Sequence, residues 1–320
     1  MGLQTCGSVW SCPVCSPKVR QARAVQIERL GVMHLEAGGG LEFATFTMSH
    51  KRSDSLADTL DTVLNGWRAV QRNRAVVRAF ARLGVVGFVR ACEITRGRNG
   101  WHPHLHNLLF TVRPLTSDER DQLQAVLYSA WRSYVLKRGF SEPSEARGVL
   151  LREVNLSRGC DGLAAYLTKV QDTYDQSSTI AREMARGDLK QGRKTSRTPF
   201  EVAASAADGV AVDVALWHEY EGATKGRRAI YVSSSLTALY GVEDQADDVL
   251  AAADDGVAVA ALDASEYRLV VLYKARARLL DLAERGGTEA VYEGLHALSR
   301  RHDWEAAKAA RKGARHRGAT

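Results

Sequence analysis

The sequence lacks the features that would place the protein in a membrane or export it. No stretch reaches the roughly 18 consecutive apolar residues of a transmembrane helix, and the first residues lack the basic and then apolar pattern of an export signal. Cysteine is scarce and odd in number, which argues against a disulfide framework in a chain without an export signal. We therefore expect a cytoplasmic protein with reduced thiols. The cysteines are Cys6, Cys12, Cys15, Cys92 and Cys160.

Acidic residues are outnumbered by basic ones. The 320 residues include 44 Lys and Arg against 37 Asp and Glu, which gives a formal charge of +7. This excess, carried mainly by arginine, favours an anionic partner because guanidinium groups bind phosphate in a bidentate manner. Enrichment in Arg, Ala, Val and Gly is equally typical of a GC-rich genome, so charge alone does not decide. The hydrophobic content of 45% is enough for one sizeable core and a second, smaller one.

The order of predicted elements indicates an α+β fold. Alternating or β-rich patterns predict four strands, at 41–48, 85–95, 102–112 and 148–156. Amphipathic helices are predicted between the first and second strands and between the third and fourth, and another helix follows at 161–173. This order is that of the ferredoxin-like split βαβ arrangement, an antiparallel sheet with flanking helices.

We expect four segments along the chain. Residues 1–37 form a cysteine knuckle and a leading helix, and 38–176 form the core just described. Residues 177–242 form a basic linker and an accessory segment, with a helix at 199–222 and a short strand at 229–233. Residues 243–320 begin with an Asp- and Ala-rich, flexible linker to about 263 and continue as a helical C-terminal region.

Three histidines spaced two residues apart lie in the third predicted strand. Successive side chains of a strand alternate between its faces, so His102, His104 and His106 share one face with neighbours about 7 Å apart. Glu93, near the end of the second strand, can face them across the hairpin. Two imidazoles and a carboxylate, with coordination positions left open, are typical of a catalytic Mg²⁺ or Mn²⁺ site. The alternative is that Glu93 is a solvated residue at the edge of the strand.

A cysteine pair with the spacing of a zinc knuckle precedes the leading helix. The pair is Cys12 and Cys15, and Cys6 is a candidate third thiolate. A structural zinc takes four ligands, and the fourth is not evident: His34, Cys92 or an upstream residue are candidates. The alternative is a group of unligated, reduced thiols.

A tyrosine and a lysine share one face of the helix predicted at 161–173. Tyr166 and Lys169 are three residues apart, which brings them together on a helix surface. A phenol, with an ordinary pKa near 10, is a poor nucleophile at neutral pH, but a nearby ammonium group and a metal-bound phosphate ease its use. The alternative is a half-buried core aromatic with a solvated hydroxyl.

Taken together, these motifs resemble the rolling-circle replication initiator (Rep) proteins of bacterial plasmids, members of the HUH endonuclease superfamily. The resemblance rests on residues 93–106 with their Trp-His-Pro-His-Leu-His stretch and on Tyr166-Leu167-Thr168-Lys169. It is strongest to the actinobacterial plasmid branch, in which a Cys-Gly and Cys-Pro-x-Cys stretch precedes the histidines, as at 6–15 here. Residues 192–200 and 217–227 also look like that branch.

The resemblance implies a set of roles. His104 and His106 would hold a divalent ion, with Glu93 or His102 as the third ligand. Tyr166 would attack one phosphodiester of single-stranded or hairpin origin DNA, leaving a covalent 5′-phosphotyrosine and a 3′-OH primer, while Lys169 offsets charge. Host helicase and DNA polymerase would be partners. The basic residues expected to contact DNA are Arg193, Lys194, Arg197, Lys225 and Arg227.

One departure from the pattern concerns how the reaction ends. Related initiators often have a glutamate one helical turn before the tyrosine, where it can activate water. That position is Gly162 here, with Asp161 adjacent as a candidate catalytic carboxylate.

Two other functions compete with strand nicking. One is a hydrolase in which water bound to the His-x-His metal site attacks, although such sites usually add a nearby Asp and further histidines. The other is a non-catalytic zinc-knuckle protein that binds DNA and whose histidines only fill a strand.

Overall fold

The computed structural model describes residues 6–154, 196–253, 259–260, 262–273 and 275–317. The chain divides into two compact units, Met1–Ala253 and Asp254–Thr320. Within the described residues, no helix combines the length and the apolar character required to cross a bilayer.

A six-stranded antiparallel sheet forms the centre of the first unit. The strands run in the order β4-β1-β3-β2, and both β5 and β6 pair with the outer edge of β2. The α+β fold with a ferredoxin-like order of strands and helices is thereby confirmed. The strands are β1 (Gly40–Phe46), β2 (Val85–Gly97), β3 (Gly100–Thr111), β4 (Val149–Glu153), β5 (Ser196–Arg197) and β6 (Ile230–Val232).

Eight helices of the described residues belong to the same unit. Four begin at side-chain caps: Asn73 caps the helix that begins at Arg74, Ser55 Oγ accepts from the Asp58 amide, and Thr116 and Thr198 each form a capping box with a glutamate three residues on. The helices are α1 (Cys15–Glu36), α2 (Leu56–Arg72), α3 (Arg74–Leu83), α4 (Ser117–Lys137), α5 (Pro199–Ala207), α6 (Ala211–Thr224), α7 (Ser234–Tyr240) and α8 (Asp247–Ala252).

Two helices that were predicted as continuous are each broken in two. Asn73 interrupts the helix expected between β1 and β2, because its backbone is extended (ψ 127°) and its Oδ1 accepts from the amides of Ala75 and Val76. An asparagine side chain that bonds to the backbone in this way starts a new helix. The helix predicted at 199–222 is interrupted at Gly209, whose φ of 87° is one that glycine adopts readily.

Part of the segment predicted as a flexible linker is also helical. Helix α8 lies in it, and carboxylates before and at the start of α8 contact α1. The buried Arg23 guanidinium lies 2.6 Å from Asp244 Oδ1 and 2.9 Å from Asp247 Oδ1. A guanidinium buried in the fold therefore orders acidic residues whose composition alone suggested solvation.

The two faces of the sheet carry different helices. On one face, α2 and α4 cover Phe46, whose ring centroid lies 5.3 Å from those of both Trp67 and Trp131. The buried Glu42 on this face accepts two hydrogen bonds from Arg120 of α4, at 2.7 and 3.1 Å. On the other face, α1 packs against the strands through His34, whose ring lies 5.1 Å from that of Phe110. The core is therefore built on both sides of β1 and β3.

The second unit is helical. Helix α9 (Ala264–Leu272) precedes α10 (Arg276–Arg317), which is broken at Gly287 (φ 60°, ψ −147°). A small core of its own contains Val270, Leu279, Val291, Leu295 and Leu298. The chain therefore has the second, smaller core that its composition predicts.

The packing of α2 on α4 predicts an unusual response at a helical glycine. A Cβ at Gly66 would lie 2.4 Å from Cζ3 of Trp131, a ring that is fully buried. Alanine normally stabilises a helix by about 1 kcal/mol relative to glycine. We expect Gly66→Ala instead to lower the free energy of unfolding by about 1–3 kcal/mol, because overpacking a core costs this much. Urea unfolding followed by circular dichroism measures the change.

Gly222, near the end of α6, is the matched control, since a Cβ there would meet no heavy atom within 4 Å. Gly222→Ala should be stabilising by about 0.5–1 kcal/mol. A Gly66→Ala variant as stable as Gly222→Ala would contradict the close approach of the two helices.

Candidate metal centre

The β2–β3 hairpin determines which side chains meet. Its connection is only Arg98-Asn99, with Gly97 paired to Gly100. Gly100 has a φ of 100°, and a Cβ there would lie 3.3 Å from Cα of Arg52. The tight turn therefore needs glycine, and it sets the register in which Glu93 pairs directly with His104.

Glu93, His104 and His106 converge on the same face of the sheet. The Glu93 Oε2 atom lies 3.3 Å from Nε2 of His104 and 3.3 Å from Nε2 of His106. The three ligand atoms all lie within 4.8 Å of one another. The side chains are 7–14% exposed, so the donors are largely shielded yet reachable from solvent. Two imidazole nitrogens and one carboxylate oxygen are a donor set that fits a divalent ion with open coordination positions.

His106 is held by its neighbours on β1. Its Nδ1 lies 3.2 Å from Oγ1 of Thr45, and its ring stacks on that of Phe43 with 5.2 Å between centroids. Thr45 pairs with His106 in the register of the two strands. A contact on one ring nitrogen fixes the orientation of the other, as commonly seen for metal-binding histidines. The Nε2 atom is therefore directed at Glu93.

His102 lies outside this cluster and pairs with a histidine that the sequence did not suggest. Its Nδ1 is 2.8 Å from Nε2 of His50, and Nδ1 of His50 is 3.0 Å from the Asn99 carbonyl oxygen. Burial lowers the pKa of His102 to about 4, with His104 and His50 adding to the effect. His102 is thus neutral near pH 7. Of the two candidates for the third ligand, Glu93 is the one whose ligand atom lies with those of His104 and His106.

His50 could have been found from strand order. In the β1–β3 register, Phe46 pairs with Leu105, so the chain that continues past β1 brings residue 50 level with the beginning of β3. The signal needs the pairing of β1 with β3, which local periodicity does not supply.

The opposite face of the hairpin is anchored by Trp101. Its indole Nε1 donates to Oε2 of Glu219 at 3.0 Å, and Oε1 of Glu219 accepts from the Leu56 amide at 2.8 Å. The Trp101 ring also lies 5.5 Å from the ring of the buried Tyr220. Helix α6 and the start of α2 are thereby tied to the strand that carries the histidines.

Comparison with known proteins identifies the family. The chain is 31% identical to "Protein rep" of Streptomyces lividans, over 97% of this chain and 76% of that protein. The chain belongs to the plasmid Rep protein family. It is also 29% identical to a "Neomycin resistance protein" of Streptomyces cyanogenus, over 34% of this chain and 31% of that one. No family model and no solved structure matches.

Family membership confirms the resemblance at the level of an actinobacterial plasmid Rep protein and assigns the chain to plasmid replication. The superfamily and the chemistry stay predictions. Several predicted residues of this Rep protein lie outside the described residues, namely Tyr166, Lys169, Asp161, Arg193 and Lys194.

The other basic residues predicted to contact DNA have different surroundings. Arg197 forms a bidentate ion pair with the buried Asp213, at 2.7 and 2.8 Å, and this contact lowers the pKa of Asp213 to about 2. Arg227 lies 3.0 Å from Asp61. Lys225 is exposed. Two of these three cations thus hold carboxylates of the protein itself.

The three N-terminal cysteines come together where α1 begins. The sulfur atoms of Cys6, Cys12 and Cys15 lie within 4.8 Å of one another, and the Cys15 amide donates to Cys12 Sγ at 3.3 Å. Neither described candidate for a fourth ligand joins them. His34 Nε2 lies 2.8 Å from the Thr111 carbonyl oxygen, and its Nδ1 bonds Tyr240. Cys92 is buried in β2, where burial raises the pKa of its thiol to about 12.

Proposed function

We propose that this Rep protein initiates rolling-circle replication of a plasmid by nicking one strand of origin DNA and later rejoining it. The observation that carries the proposal is the convergence of Glu93, His104 and His106 on neighbouring strands of a ferredoxin-like sheet, in a chain of the plasmid Rep family. The superfamily that the sequence resembles uses a histidine pair of this kind.

The proposed metal ligands are Glu93, His104 and His106, and the proposed ion is Mg²⁺ or Mn²⁺. When bound, such an ion polarises the scissile phosphate and stabilises the charge that develops there. Thr45 and Phe43 hold His106 in the orientation that binding requires. His102, paired with His50, would support the site from beside it.

The proposed nucleophile is Tyr166. Its phenol oxygen would form a bond to phosphorus and lose its proton, while the bond to the 3′ oxygen breaks and that oxygen becomes the 3′-OH primer. Lys169 would offset the charge of the phenolate and phosphate. Asp161 would serve as the carboxylate that acts on water or on a second hydroxyl when replication ends. The partners we propose are single-stranded or hairpin origin DNA and the host helicase and DNA polymerase.

We also propose a structural zinc at Cys6, Cys12 and Cys15. The three sulfur atoms lie together although the residues span ten positions of sequence, and thiolates with this grouping favour zinc. Because α1 begins at Cys15 and its Arg23 and His34 contact α8 and β3, the ion would order the start of a helix that the whole unit packs against.

The zinc proposal predicts that the zinc content of the protein depends on the thiol of Cys12 and not on that of Cys92. Inductively coupled plasma mass spectrometry of the wild-type protein should find about one zinc per chain. Cys12→Ser should lose it, whereas Cys92→Ala, which removes a buried thiol elsewhere, should retain it. Equal zinc content in the two variants, or none in the wild type, would contradict the proposal.

Nicking through a tyrosine predicts a covalent product. Single-stranded oligonucleotides that tile the DNA flanking the gene are incubated with the protein and Mn²⁺, then separated on a denaturing gel. We expect a protein–DNA adduct that Tyr166→Phe abolishes and Tyr134→Phe, a phenol on α4, leaves unchanged. Because Tyr134 is a described residue away from the cluster, it controls for loss of any phenol.

The competing functions give different results on the same gel. Cleavage without an adduct that survives Tyr166→Phe would establish attack by water. Absence of cleavage with any divalent metal would leave a DNA-binding protein. His104→Ala and His106→Ala should abolish cleavage while salt-dependent DNA binding persists in a gel shift, since these residues bind the ion. Equal loss of binding would show that the histidines are structural.

A further inference from the structure

A cleft rich in arginine lies on the sheet face opposite the candidate metal centre. Arg90 and Glu93 are three residues apart on β2, so their side chains point to opposite faces. The cleft has a volume of about 440 Å³, within the range of small-ligand sites. Helix α2, β2 and the segment 226–231 form its walls, and these walls contribute Arg68, Arg90, Arg227, Arg228, Phe88 and Tyr231.

Arg90 is the most informative residue of the cleft. Only 8% of it is exposed, and its Nη2 donates to the carbonyl oxygen of Arg228 at 2.8 Å. Among the described residues, no carboxylate forms an ion pair with it, and its Nε has no acceptor. Desolvation lowers its pKa, and the nearby Arg68 and Arg228 add to the effect. A buried cation without a counter-charge is costly, and this favours a role for Arg90 in binding an anion.

The other arginines leave the cleft positive. Arg68 is exposed and donates to the amide oxygen of Asn65 at 3.2 Å, a neutral partner. Arg227 lies 3.0 Å from Asp61 and Arg228 lies 3.2 Å from Asp244. Each of these carboxylates also serves a second arginine outside the cleft, Arg138 for Asp61 and Arg23 for Asp244. Two shared carboxylates therefore oppose four guanidinium groups.

Aromatic side chains stand beside these charges. The rings of Phe88 and Tyr231, both half-buried, lie 6.0 Å apart, and Phe88 contacts the ring of Trp67 at 5.1 Å. The indole N–H of Trp67 is a further buried donor without an acceptor among the described residues. Guanidinium groups next to aromatic rings are the combination that binds single-stranded nucleic acid, in which phosphates need cations and bases need flat surfaces.

We propose that this cleft binds a backbone phosphate of single-stranded DNA, with an adjacent base against Tyr231 and Phe88. The proposal rests on the proposed function for the identity of the polymer. The cleft would hold a part of the strand other than the scissile phosphate, since it opens on the opposite face of the sheet from Glu93.

The test measures binding without catalysis. A fluorescein-labelled oligothymidylate of fifteen nucleotides is titrated with full-length protein in buffer without added Mg²⁺ or Mn²⁺, and anisotropy is recorded at several salt concentrations. The double variant Arg68→Gln/Arg228→Gln removes two exposed cations of the cleft. Arg78→Gln, an exposed arginine on α3 outside the cleft, is the matched control. We expect the double variant to bind at least about 10-fold more weakly with a salt slope smaller by about 1–2, and the control to bind like wild type.

A second pair of variants tests the base. Tyr231→Leu should weaken binding by about 5-fold or more, because base stacking on an aromatic ring is lost, whereas Tyr231→Phe should bind like wild type. Arg90→Met tests the buried cation directly, with its melting temperature compared to wild type so that a folding defect is recognised. If the double variant and Tyr231→Leu both bind the oligothymidylate as tightly as Arg78→Gln does, the proposal is overturned.

Competition separates a strand phosphate from a free one. Thymidine monophosphate and inorganic phosphate should displace the oligonucleotide only at millimolar concentrations, since each offers one contact of many. Displacement at micromolar thymidine monophosphate would instead establish a free-nucleotide site and overturn the strand assignment. A defect seen on duplex DNA but not on the oligothymidylate would overturn it as well.

The outcome is independent of nicking. Because no Mg²⁺ or Mn²⁺ is added, the cleft variants report binding alone, while the adduct formed by Tyr166 reports chemistry. If the cleft variants lose oligothymidylate binding and the wild type forms no adduct, the cleft is supported and nicking is refuted. If the cleft variants bind like wild type and the wild type forms the adduct, only the cleft is refuted.

Discussion

The candidate site depends on the register of one β-hairpin. Glu93 meets His104 only because Gly97 pairs with Gly100 across a two-residue turn, and a slip of one residue would move the carboxylate to the opposite face of the sheet. Thr45 on β1 then orients His106 from the other side. Since β3 is paired on both edges, three strands together determine where the ligand atoms lie. The Trp101–Glu219 contact anchors the reverse side of the same hairpin.

The two faces of the sheet carry complementary chemistry. One face presents a carboxylate and two imidazoles, a donor set for a cation, and the other presents Arg90 and Phe88 to the arginine-rich cleft that we propose binds a phosphate. Alternation along β2 separates the two, because Arg90 and Glu93 differ by an odd number of residues. A protein that acts on a nucleic acid strand needs both properties, one to act on a phosphate and one to hold the polymer.

Periodicity predicted what depends on local sequence. The βαββαβ order follows from apolar periodicity along the chain, and the shared face of His104 and His106 follows from a period of two; both are confirmed in the structure. Glu93 faces them across the hairpin, as expected, because the register pairs it with His104. The breaks at Asn73 and Gly209 also have local causes, but the apolar pattern continues across both positions and therefore predicted unbroken helices. Contacts distant in sequence escaped prediction: His50 reaches His102 through the pairing of β1 with β3, and the acidic segment before α8 is ordered by Arg23, over 200 residues away.

The central claim is that Glu93, His104 and His106 bind one divalent ion. Anomalous diffraction at the manganese absorption edge, from crystals of the protein soaked in Mn²⁺, tests it most directly. We predict a single strong peak within coordination distance of Glu93 Oε2 and the Nε2 atoms of His104 and His106. A peak bound instead by His50 and His102, or no peak on this face of the sheet, would contradict the account.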